Sequence, residues 1–180
     1  MATKTKLNIY ELLLLEPEEA TELFWEELEK DNPDLQLIED ILAYSPVDVN
    51  VQDGIGRTAL MYAAYWEKEK PVELLLKHPG VDVNLQDKGG WTALMWVAYW
   101  GKEKVAELFL KHPKIDVNVQ KNDGWTALML AAYNENVKPV ELLLAYPGID
   151  VNVKNYDGQT AWDLAGDKIC ELFPQLNPNS

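Results

Sequence analysis

The sequence predicts an all-α solenoid, built from stacked helix-turn-helix units joined by β-turn or hairpin loops. Two observations carry the prediction. Thr58, Thr92, Thr126 and Thr160 recur at a period of 34, inside Gly56-Arg57-Thr58-Ala59-Leu60-Met61, Gly90-Trp91-Thr92-Ala93-Leu94-Met95, Gly124-Trp125-Thr126-Ala127-Leu128-Met129 and Gly158-Gln159-Thr160-Ala161-Trp162-Asp163. Val47-Asp48-Val49-Asn50, Val81-Asp82-Val83-Asn84, Ile115-Asp116-Val117-Asn118 and Ile149-Asp150-Val151-Asn152 keep the same spacing. A unit of this size cannot bury its apolar face alone, so a register held over three periods means stacking.

Each element has a physical reason. Near the N-terminus, Lys4 and Lys6 precede Leu7–Leu15 in a pattern that superficially resembles a signal peptide. Asn8 and Glu11 interrupt it, and Glu16, Glu18 and Glu19 follow with no small-residue cleavage site, so a short amphipathic helix packed on the first unit is expected. Residues 17–50 read as a capping unit: a helix Pro17–Lys30, a polar Asp31-Asn32-Pro33 link and a helix Asp34–Tyr44. In each full unit the glycine supplies a turn with positive φ, and the following threonine caps a helix. That helix runs through Ala63-Ala64, Val97-Ala98 or Ala131-Ala132, whose small side chains let helices approach closely. Pro71 and Pro139 suit the first turn of a second helix, which carries Val72, Leu74, Leu75 and Leu76 and their counterparts. His78-Pro79, His112-Pro113 and Tyr146-Pro147 stop it. A shortened pair ends at Phe173-Pro174, and the tail Gln175–Ser180 is expected to fray.

These blocks resemble the ankyrin repeat, whose pattern is Gly-x-Thr-Pro-Leu-His-x-Ala-Ala, a Leu-Leu helix and an Asp-Val-Asn exit. Ala59, Ala93 and Ala127 replace the proline, and Met61, Met95 and Met129 replace the histidine. The resemblance covers about residues 17–176. It divides the chain into an extension 1–16, an N-terminal cap 17–50, internal repeats 51–84, 85–118 and 119–152, and a C-terminal cap with tail 153–180.

Composition narrows the function. Asp plus Glu number 30 against 16 Lys plus Arg, a net charge of −14, which disfavours nucleic acid and anionic membrane surfaces and favours basic partners. No apolar run nears the ~18 residues of a membrane span. The single Cys170 excludes an intrachain disulfide and a cysteine-based metal site, and a reducing, cytoplasmic compartment fits it. Beside Ile169, Leu172 and Phe173 it reads as a small apolar residue, not a nucleophile. The only serines, Ser45 and Ser180, leave a Ser–His–Asp triad without a plausible nucleophile. His78 and His112 offer a metal only two ligands a repeat apart, and read instead as helix C-terminal residues facing carbonyls. No catalytic residue, metal or cofactor is expected.

The seven tryptophans are the unusual feature. The resemblance implies that turn tips and first helices line a concave groove. The tips hold Arg57, Trp91, Trp125 and Gln159. The first helices present Tyr62, Trp96 and Leu130, then Tyr65, Tyr99 and Tyr133, then Trp66, Trp100 and Asn134. Arg57, Tyr62, Tyr65, Trp66, Trp91, Trp96, Tyr99, Trp100, Trp125 and Tyr133 are therefore the candidate partner-binding residues, with Trp66, Trp91, Trp100 and Trp125 displayed to solvent. Trp25 and Trp162 are expected to fill gaps in the caps. Glu67, Glu69, Glu103 and Glu135, interleaved with lysines, read as a solvated face. The densest acidic cluster lies in the N-terminal cap, away from the central aromatic stripe.

The function expected is a non-enzymatic module binding a protein or peptide. Self-association through the same patch is an alternative, with a monomer expected over a homodimer. A further alternative is a methyl-lysine reader. Gly90–Trp96 looks like the stretch that cages a methylated lysine in the ankyrin domains of certain histone-lysine methyltransferases. Trp91 and Trp96 match that cage, but Leu130 stands at its third tryptophan and Tyr99 at its glutamate.

Overall fold

The computed structural model describes residues 8–177, and among them it places eleven α-helices and no strand. The short α1 (Ile9–Leu12) is capped by Asn8, whose side chain accepts from the N–H groups of Tyr10 and Glu11. It seats Leu12 in the core, against α3. Lys4, Lys6 and Leu7 lie outside the described residues. Helix pairs then follow in chain order: α2 (Pro17–Glu29) with α3 (Leu35–Tyr44), α4 (Ala59–Tyr65) with α5 (Glu69–Lys77), and α6 (Ala93–Trp100) with α7 (Glu103–Leu110). The last are α8 (Ala127–Tyr133) with α9 (Val137–Leu144), and α10 (Ala161–Leu164) with α11 (Asp167–Leu172). The first helices stack as one layer, α4 on α6 on α8 on α10, and α5, α7 and α9 form a second.

Local chemistry explains the start of each inner helix. Thr58, Thr92, Thr126 and Thr160 are buried, and their hydroxyls accept from the N–H three residues on, at 3.2 to 3.4 Å. Ala63, Ala64, Val97, Ala98, Ala131 and Ala132 are all at most 1% exposed, so the inner helices meet through small side chains. Pro71 and Pro139 occupy the third position of α5 and α9, still within the first turn, where no intrahelical N–H is required.

The loops couple one repeat to the next. Asp82 holds its own turn by accepting from the Asn84 N–H at 3.0 Å. Asn84 then reaches into the following unit: its amide donates to the Lys114 carbonyl at 2.8 Å and its oxygen accepts from the Asp116 N–H at 2.9 Å. Asn50 makes the same pair of bonds to Gly80 and Asp82, and Asn118 to Gly148 and Asp150. Gln86 closes its own turn on the Gly90 carbonyl at 2.6 Å and bridges to the Gln120 carbonyl at 2.9 Å. At the turn tip Gly90 has φ +81°, and a Cβ there would meet the Asn122 backbone nitrogen at 2.5 Å. The glycine is thus required twice, by its own conformation and by the next tip packed against it.

Two expectations are corrected. The chain end does not fray at Gln175: Pro174–Leu176 form a 3-10 turn that buries Leu176 completely, while residues 178–180 lie outside the described residues. His78 and His112 do not face carbonyls through their rings. Each ring Nδ1 accepts a backbone N–H, from Gly80 at 3.2 Å and from Lys114 at 3.3 Å. The ring turns back over the Pro-containing bend instead of along the helix.

Asn84→Ala removes both inter-repeat bonds and should lower unfolding free energy by about 1–2 kcal/mol in urea titration, with an unchanged m value. His112 supplies a pH dependence, because burial, then Lys114, holds its ring below the ordinary value of 6.5. The unfolded chain therefore binds the proton more readily, and stability is full above pH 6.5 and falls as pH drops through the depressed folded value. The urea midpoint should fall between pH 7.5 and 5.5, and fall less in His112→Gln.

Candidate interaction surface

Residues four apart on one helix, repeated in the next, bring rings together on the outer side of the α4–α6 layer. The result is a network of eight rings spanning three units. Trp25 of α2 meets Tyr62 edge-on at 5.9 Å, and Tyr62 lies 6.4 Å from Trp66. Tyr65 touches Trp66 at 5.2 Å, Trp96 at 5.7 Å and Trp100 at 5.9 Å. Trp91 stacks on Trp96 at 4.2 Å with planes 20° apart, and its edge contacts Tyr99, which packs on Trp100. Trp66 is 58% exposed and Trp100 49%, and Tyr65 and Tyr133 are also exposed.

Burial divides the ten candidates. Trp66, Trp100, Tyr65 and Tyr133 are displayed, whereas Tyr62, Trp96, Tyr99 and Arg57 are half-buried. Trp91 and Trp125, expected in full display, are half-buried too. Trp91 is covered by Trp96 on one side and by the Lys121 ammonium 5.3 Å from its ring centroid. Trp125 packs on Tyr133 at 5.4 Å, and this pair has no ring contact to the other eight among the described residues. The stripe breaks because Leu130, at the position of Trp96, is 3% exposed and belongs to the core. Arg57 is held by Asp53, with both guanidinium bonds at 2.8 Å. The stacked Trp91 and Trp96 leave no space for a methylammonium between their faces.

Trp25 is the ring that sequence reasoning left out, and it changes the electrostatics. Sequence alone assigned it to cap filling; the signal that would have recovered it is Tyr62, one unit on and facing the cap. Because Trp25 joins the network, acidic α2 is the edge of the aromatic surface, which corrects the separation of acid from aromatics expected above. Burial, then the charges of Glu29 and Asp31, push the Tyr62 phenol up from its ordinary value, while Arg57 opposes them. Two clefts border α2, the first where its C-terminal end and the link to α3 face α4 and α5, the second where it faces the turn tip before α4. One of about 520 Å³ is lined by Glu29, Asp31, Tyr62 and Trp66 among others. The other, of about 410 Å³, is lined by Glu22, Trp25, Glu29 and Val51 among others.

The remaining charged candidates are structural. Glu67 pairs with Lys102 at 2.9 Å and Glu69 with Lys104 at 3.2 Å, both across repeats. Position 68 and its counterpart reach back a unit: Lys68 donates to the carbonyls of Leu28 and Lys30, and Asn136 to those of Ala98 and Tyr99. They satisfy carbonyls at the ends of α2 and α6. Burial, then Asp167, pushes the Cys170 thiol up, away from the reactive thiolate. Among the described residues no cluster of three or more His, Cys, Asp or Glu side chains could hold a metal. No described helix is long and apolar enough to cross a membrane.

Comparison with family models finds a match to ankyrin repeats in three overlapping copies, over residues 29–121, 68–155 and 109–172. Against curated proteins no match is found.

A double-mutant cycle on Trp91→Ala and Trp96→Ala should return a coupling of about 0.5–1.5 kcal/mol in urea denaturation. Additive losses would contradict the stacked pair.

Proposed function

The chain belongs to the ankyrin-repeat family, and on that premise we propose that it is a non-enzymatic module binding a protein or peptide partner along the aromatic face of α4 and α6. The observation that carries the reading is the ring network, in which about half of the surface of Trp66 and of Trp100 stays in water while neither belongs to the buried core. Contiguous exposed aromatics mark interaction sites, and Trp and Tyr are effective anchors because they bury large area with few rotatable bonds. Tyr65, Trp66, Trp100 and Tyr133 act as first contacts; Tyr62, Trp91, Trp96 and Tyr99 hold the first three in place, Trp125 holds Tyr133, and Arg57 flanks them. The net charge of −14 speeds the approach of basic partners, opposes nucleic acid and keeps two copies of the chain apart, so the protein acts as a monomer. An intracellular setting accords with the single thiol.

The test is selection of displayed random peptides on the full chain, followed by affinity measurement with the enriched peptides. Trp66→Ala combined with Trp100→Ala should weaken binding by ~30-fold or more, about 2 kcal/mol, with the far-UV circular dichroism unchanged. Undiminished affinity would overturn the assignment. Sedimentation across a concentration series should show one monomeric species; a dimer lost on the same substitutions would favour self-association instead.

A further inference from the structure

The stack is least tight at one junction. Helix α2 lies against α4 with far less intimate packing than α4 shows to α6 or α6 to α8; one cleft opens between the C-terminal end of α2 and α4, and a second, sharing Glu29, between α2 and the turn tip before α4. The unpaired charge around this gap is acidic. Helix α2 reads PEEATELFWEELE, with no basic residue, and its C-terminal end adds the negative pole of the helix dipole beside Glu29. Each cation lining the gap is already engaged. Lys68 donates to the Leu28 carbonyl at 2.8 Å and the Lys30 carbonyl at 2.6 Å, with its ammonium 5.7 Å from the Tyr62 centroid. Lys70 pairs with Glu73 at 2.9 Å, and Arg57 with Asp53 at 2.8 Å. The carboxylates of Glu22, Glu29 and Asp31, all exposed, take part in no hydrogen bond or ion pair among the described residues.

We propose that the gap between α2 and α4 receives an arginine side chain of the partner segment, with Glu29 and Asp31 as its carboxylate partners and the exposed Trp66 as the ring face it lies against. This rests on the interaction-module reading above and adds the chemistry of the partner and the place of its anchor. Arginine fits better than lysine because a planar guanidinium forks to carboxylates and stacks on an indole at once, which a compact ammonium cannot. The chain shows half of this arrangement itself, since Lys68 already rests over Tyr62 in the same cleft. Glu22 deepens the negative field at the second cleft. With the arginine anchored at α2, the rest of the segment crosses Tyr65 and Trp100 toward α6.

The experiment uses the full chain and peptides enriched from a random displayed library. Enriched sequences should share an arginine in fixed register with an aromatic or apolar residue. In the best synthetic peptide, replacing that arginine by citrulline should weaken binding tenfold or more, and replacing it by lysine several-fold. Glu29→Gln with Asp31→Asn should bring the arginine peptide down to the citrulline peptide's affinity, with an unchanged urea midpoint, since neither side chain holds the fold. Peptides that depend on Trp66 and Trp100 but show no arginine preference, or ignore the carboxylate variant, overturn the arginine site and leave the groove standing. Peptides indifferent to both sets of substitutions, or a library that yields no binder, overturn both.

Discussion

The structure depends on a side-chain amide that bonds one repeat to the next. Asn50, Asn84 and Asn118 each use both ends of the amide, donating to a carbonyl and accepting from an N–H 30 and 32 residues further on. An asparagine is suited to this because its amide offers donor and acceptor side by side, so it can pair with a neighbouring loop much as a backbone strand would. The aspartate two residues before it accepts the asparagine N–H and sets the loop that aims it. The threonine-capped helices and the tip glycines all stand in the register these bonds impose. Among the described residues no buried side-chain nitrogen or oxygen lacks a partner, so the polar connections between repeats are fully used.

That register also makes the aromatic surface. Alanines at the helix contacts draw α4 and α6 together, and large side chains one step round the helix are then carried within contact on the outside. Tyr65 can meet Trp96 and Trp100 only because the helices behind them approach through Ala63, Ala64, Val97 and Ala98. Small residues line the contact between the inner helices, Leu60, Met61, Leu94 and Met95 fill the core beside them, and Trp66 and Trp100 face outward. Edge-to-face contacts hold the rings in a fixed array, so little side-chain entropy remains to be lost when a partner covers them.

The N-terminal junction behaves differently from the rest. Cap helix α2 lacks the alanine pair that lets inner helices close up: one period before Ala63 and Ala64 stand Glu29 and Lys30, at its end. It therefore stands off from α4, and the clefts follow from the misfit. A cap must face water on one side, which accounts for its glutamates. The same glutamates border the ring network, so a feature that serves solubility also gives the surface an acidic end.

Much of this was legible in the sequence, because a fixed period turns local chemistry into global geometry. Thr58 and its counterparts announce caps, the tip glycines announce positive φ, and a period of 34 announces the stack. The ten aromatic and charged candidates were legible for the same reason, since identical positions in successive units must share a face. Their exposure was not. Whether Trp91 points to water depends on Trp96 stacking on it and Lys121 covering it, and Trp125 differs because Leu130 sinks into the core. Nor could the acidic helix be joined to the aromatic stripe, because Trp25 and Tyr62 are brought together by packing across a junction that interrupts the repeat. Sequence by itself determined the family, the register and the shared face, which rest on periodicity and backbone preferences. Tertiary structure alone decided which rings are free and where acid meets aromatic, because both depend on how closely neighbouring units pack.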